Sequence, residues 1–102
     1  MFIETNKEDI TMEKNYKANI FYLACLLNLL DVPNHFNECY DGAQLRFDWH
    51  IGDVACHSGT YGADCGKVES YEFPWDNGDV SVLTPQEAAA RIANLYYELK
   101  EE

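Results

Sequence analysis

Basic residues are what this 102-residue chain has least of: seven Lys and Arg stand against eighteen Asp and Glu, a formal net charge of −11. A surface so short of cations repels phosphate backbones and anionic headgroups, so the expectation is no direct binding to nucleic acid and none to a membrane. Long apolar runs are missing too. The longest, Ile20 to Leu30, is broken by Asn28 and stops at Asp31-Val32-Pro33, short of the roughly 20 residues a membrane-spanning helix needs. Glu13, Lys14 and Lys17 precede it and no A-x-A cleavage pattern follows it directly, which predicts a cytosolic, cytoplasmic protein without an export signal. Also absent are G-x-S-x-G, H-E-x-x-H, the phosphate-loop lysine motif and any C-x-x-C pair, so no motif announces an enzyme or a zinc finger.

What the chain does have is apolar content. Hydrophobic residues make up 47% of it, far more than a disordered acidic tail carries, so the chain should fold and hold its charge on a defined surface. Its length fits a single domain, residues 1–102, with 1–8 expected to fray as chain termini do. Cys25, Cys39, Cys56 and Cys65 are an even count that would allow three disulfide pairings in a secreted protein. In a reducing cytosol free thiols are the expectation, with Cys25 a core residue.

Order is expected to begin near Asp9 or Thr11, either able to cap a helix. Tyr16, Ile20, Leu23, Leu27 and Leu30 recur at helical spacing, and Phe21, Leu26 and Leu29 widen the stripe, which predicts a helix buried on more than one side and ended by Pro33-Asn34. Asn34 to Gly42 reads as a polar connection closing on an Asp41-Gly42 turn. Leu45, Phe47 and Trp49 alternate with Arg46, Asp48 and His50 as in a half-buried strand; Gly52-Asp53 then makes a turn, and Val54 and Cys56 mark an antiparallel partner. Lys67 to Phe73 reads as a third strand whose conflicting faces call for a bulge, and Val80 to Leu83 as a fourth. Thr84-Pro85-Gln86-Glu87 supplies an N-cap, a first-turn proline and a capping-box glutamate. Ala88, Ile92, Leu95 and Leu99 then mark the inner face of a closing helix. The expected fold class is therefore α+β: two layers, an antiparallel meander of about four strands with an N-terminal and a C-terminal helix on one face.

Few constellations carry chemistry. His35, Cys39, His50, Cys56, His57 and Cys65 are zinc-type ligands, but their spacings match no common finger, so no metal and no cofactor are expected. Cys56 and His57 are adjacent on a strand and point to opposite faces, which spoils them as a nucleophile and base; Cys65 with His57 across a loop stays open geometrically. Gly59 to Gly66 is glycine-rich, yet it lacks the phosphate-loop lysine and carries Asp64, and a hairpin connection accounts for it.

The acidic and aromatic surface carries most. Between Asp31 and Ala90 lie eleven acidic residues and only Arg46 and Lys67 as bases. The candidate partner-binding residues are Asp48, Asp53, Tyr61, Asp64, Glu69, Tyr71, Glu72, Trp75, Asp76 and Asp79. Carboxylates two apart on a strand face stand roughly 6.6 Å from one another, close to the interval between phosphates on a nucleic-acid strand. Aromatic anchors amid such charge suit a basic protein surface, and Trp75, on the turn after Phe73-Pro74, is the leading anchor.

In size, acidity and lack of a catalytic signature the chain resembles, as a class, the small inhibitors of bacteriophages and mobile elements, including anti-CRISPR proteins and other DNA-mimic antagonists of nucleases. That resemblance touches no particular position. It implies a non-enzymatic inhibitor occupying the basic site of a bacterial defence effector such as an RNA-guided nuclease, in competition with nucleic acid. The alternatives are a small zinc- or cysteine-dependent enzyme or zinc-stabilised module built on His57, Cys56 and Cys65, and a structural or assembly component of a phage or host complex.

Overall fold

A computed structural model of the chain describes residues 15–101; the expected caps Asp9 and Thr11 and the expected frayed stretch 1–8 lie outside them. Helix α1, Tyr16–Leu29, opens on Asn15, whose side chain accepts the backbone N–H of Ala18. Five strands follow: β1 His35–Cys39, β2 Gly42–Arg46, β3 Asp53–Cys56, β4 Val68–Tyr71 and β5 Val80–Leu83. Each pairs antiparallel with the next, in the order β1-β2-β3-β4-β5. Helix α2, Pro85–Lys100, closes the chain. The fold is an α+β meander with both helices packed against the sheet.

The register fixes the faces. Ala43 opposite Cys56, Leu45 opposite Val54 and Val68 opposite Leu83 put one row of small and branched side chains on the inner side. They meet Ile20, Leu23 and Leu27 of α1 and Ala88 and Ile92 of α2 in one hydrophobic cluster. Burying one such side chain contributes about 1.5–3 kcal/mol, so this shared core is what holds the layers together.

Several boundaries differ from the sequence expectation. Among the described residues there are five strands, because His35–Cys39 pairs along its length with β2 although Phe36 is its only large apolar residue. The β1–β2 turn is Tyr40-Asp41, with Gly42 already in β2. The chain leaves the sheet after Arg46, so Phe47 and Trp49 are not strand residues: they stack in an aromatic group with Phe73 and Tyr96 at the sheet's end. Asp53 starts β3 and is not a turn residue.

No bulge reconciles Val68 with Phe73. Glu72 takes a left-handed φ of 66°, which ends β4 and turns Phe73 into the core. On α2 the buried face is Ala88, Ala89, Ile92 and Ala93, and Leu99 lies in the open. On α1, Phe21 and Leu29 do not enter a second core; a two-layer domain offers the helix a single buried side, and they stay exposed.

Candidate protein-binding surface

The face of the sheet away from the helices is built from the alternate register positions. Across it run Arg46 opposite His35, Asp53 opposite Tyr71, and Tyr71 opposite Val80. The neighbouring row is Asn37, Gln44, Ala55, Glu69 and Val82. Adjacent strands lie about 4.8 Å apart, so Asp53, Tyr71 and Glu69 are close neighbours. The acidic array therefore runs across strands, and no strand carries two carboxylates two residues apart on this face, contrary to the spacing expected from the sequence.

Glu69 is 6% exposed. Its carboxylate accepts the Tyr71 hydroxyl at 2.9 Å and the backbone N–H of Tyr61 at 3.3 Å, which ties the β3–β4 loop down over the sheet. Burial, and then that bond to a carboxylate, raises the Tyr71 hydroxyl well above the usual tyrosine range, so it stays a donor. Asp53 is half-buried; desolvation lifts its carboxyl above the ordinary value, the Arg46 guanidinium pulls it back, and Glu72 pushes it up again. Asp48 joins the same surface from its corner, through a hydrogen-bond contact of 2.9 Å with His35.

The surface continues onto the β1–β2 turn. Cys39 lies between its two ends: burial raises its thiol, and the charges of Asp41 and Asp53 raise it further. Asp41 accepts the Ser58 N–H at 2.9 Å, and that bond holds its carboxyl below the usual range. Tyr40 is 89% exposed, sits at a φ of 54° and packs its ring 4.8 Å from that of His57. A bulky residue in the left-handed region is strained by roughly 1–2 kcal/mol, and such strain concentrates at functional positions. Neither Tyr40 nor Asp41 is among the residues singled out from the sequence; Asp41-Gly42 reads there as a plain turn signal.

The other expected contact residues sit elsewhere. Asp64 is exposed at the foot of α1, where it accepts the Tyr16 hydroxyl and raises it to about 12. Asp79 is exposed ahead of Val80. Asp76 is 4% exposed and faces inward, accepting from the Ser70 hydroxyl and the Phe73 N–H. It contributes to folding and offers a partner nothing. Trp75 is half-buried, stacked 4.6 Å from Phe73 with its indole N–H on Ser70, so it closes the sheet edge and is no free anchor. Tyr61 keeps an exposed side chain while its backbone N–H is held by Glu69.

Among the described residues no three His, Cys, Asp or Glu side chains converge as metal ligands would. Cys56 is fully buried, donates to the Lys67 carbonyl and is raised to about 11 by desolvation, opposite to the activation a nucleophile needs. All four cysteines are free thiols. No helix among the described residues is long and apolar enough to cross a membrane. Comparison with protein-family models, curated proteins and solved structures gives no match.

Proposed function

We propose that the protein is a non-enzymatic inhibitor that sets the outer sheet face and the Tyr40-Asp41 turn against a basic protein surface and competes there with nucleic acid. Its partner would be a nucleic-acid-binding protein of the bacterial cytoplasm, such as an RNA-guided defence nuclease, in the manner of DNA-mimic antagonists. One observation carries this: exposed Asp41, Asp48 and Glu72 and half-buried Asp53 stand with Tyr40, Tyr61 and Tyr71 along the outer face and its edges, against Arg46 and the Asp48-paired His35 on the strands and His57 beside Tyr40. Carboxylates of this kind steer a cationic partner and the phenol rings supply contact area.

Affinity capture from bacterial lysate at low and high salt, read by mass spectrometry, tests it. The expected outcome is a nucleic-acid-binding protein retained at low salt, released at high salt and by added DNA, and lost with Asp53→Lys plus Glu72→Lys. Salt screens exposed charges beyond roughly 8 Å at physiological strength, so an affinity indifferent to salt sinks the proposal.

A further inference from the structure

The β1–β2 turn and the chain just after β3 border an open recess of about 410 Å3, lined by Tyr40, Asp41, His57, Ser58 and Gly59. Local hydrogen bonds fix its walls. The Ser58 N–H donates to the Asp41 carboxylate at 2.9 Å, and the Gly59 N–H donates to His57 Nδ1 at 3.0 Å. The His57 N–H donates to the Thr60 hydroxyl, while the Thr60 N–H and hydroxyl both donate to the His57 carbonyl. Against this frame lies the exposed Tyr40 ring, tilted on the His57 imidazole. The backbone donors an anion would need, those of Ser58 and Gly59, are thus already engaged. What the recess offers a ligand is the face of an electron-rich ring and a carboxylate. Asp41 joins no ion pair among the described residues, and the Ser58 N–H holds its carboxyl below the usual range, so it is charged. An Nδ1 that accepts a hydrogen bond carries no proton, so the His57 ring sets no charge against a cation.

We infer that this recess seats a single guanidinium group, an arginine side chain of the basic partner, stacked on the Tyr40 ring and bonded to the Asp41 carboxylate. The inference rests on the reading of the outer face as a surface for a basic protein, and it names the residue type that face selects. Arginine suits the recess better than lysine. Its planar fork meets a carboxylate through parallel N–H groups and lies flat on an aromatic ring, whereas an ammonium is a compact charge that gives up its water less readily. Because the walls are already held by bonds within the chain, binding has little left to order.

Titration of the isotope-labelled full chain with acetyl-arginine methylamide at low salt, followed through backbone amide shifts, tests the seat. The expected result is saturable shifts at Asp41, Ser58 and Gly59, binding of the lysine analogue weaker by about fivefold, and none of the uncharged citrulline analogue. Asp41→Asn should weaken the arginine probe about tenfold. Tyr40→Leu should weaken it about threefold and Tyr40→Phe should leave it unchanged, because Phe keeps the ring. The same spectra report whether each variant is folded. Equal affinity for the lysine analogue, shifts that spread along the sheet without saturating, or binding untouched by Asp41→Asn overturns the inference. The two readings fail separately. A recess that fills with the probe while lysate capture yields no nucleic-acid-binding protein removes the proposed function alone; a salt-released partner held equally by the parent and Asp41→Asn, with a recess that ignores the probe, removes the seat alone.

Discussion

The carboxylate of Asp76 accepts the hydroxyl of Ser70 at 2.8 Å, with both groups buried. Ser70 in turn accepts the Trp75 indole N–H at 3.1 Å, and the second Asp76 oxygen takes the Phe73 N–H at 3.0 Å. Three donors are therefore satisfied around one turn. Removing the acceptor leaves buried donors unpaired, at about 1–3 kcal/mol. Asp76→Ala should lower stability by that amount in urea unfolding, Ser70→Ala should lower it less, and the double variant should fall short of the sum because the two share one network.

Gly42 leaves no room for a side chain. A Cβ there would lie 1.9 Å from the Cys56 carbonyl oxygen and 2.9 Å from the Tyr16 Cβ, and neither can retreat without moving β3 or α1. Gly42→Ala should cost at least the 1–3 kcal/mol typical of overpacking, about 2 kcal/mol or more. Thermal unfolding measures it, and a variant as stable as the parent would refute the close approach of α1 to this turn.

Stability should fall in acid. Asp41 is held below its ordinary range by the Ser58 N–H, and Glu87 below its own by the Thr84 N–H. Folded values below the unfolded ones mean that both contribute stability above the usual carboxylate range, lost as pH drops through the depressed values. Asp53 runs the other way: its raised carboxyl favours folding at low pH and opposes it once ionised. Urea midpoints between about pH 7 and about pH 2 should decline more gently for Asp41→Asn and Glu87→Gln, and Asp53→Asn should raise the neutral-pH midpoint.

The second helix start was open to a reader of the sequence because its signal is local. Thr84 accepts the Glu87 N–H at 3.1 Å and Glu87 accepts the Thr84 N–H at 2.9 Å, all within four consecutive residues. Strand β1 was not, because its polar residues become a strand only when β2 pairs with them. Leu45, Phe47 and Trp49 keep a strand's alternation past the point where the chain leaves the sheet, and the deciding partners, Phe73 and Tyr96, are distant in sequence. For the candidate surface, charge marks Asp53 and Glu72, yet Asp53 reads as a turn residue and the faces of the third strand stay in conflict; only the register sets Asp53 opposite Tyr71. Glu69 and Asp76 look like surface acids in sequence; tertiary donors bury both.

Tyr40 gives a single-residue handle on the molecule. Its left-handed backbone conformation, at φ 54°, costs roughly 1–2 kcal/mol, while a glycine there would cost the chain about 0.5–1 kcal/mol of extra disorder on unfolding. The two largely offset, so Tyr40→Gly should melt within a few degrees of the parent while deleting the most solvent-exposed aromatic ring beside the acidic face. Calorimetry alongside the capture experiment would then separate folding from recognition in one variant, a decoupling that few positions in so small a domain allow.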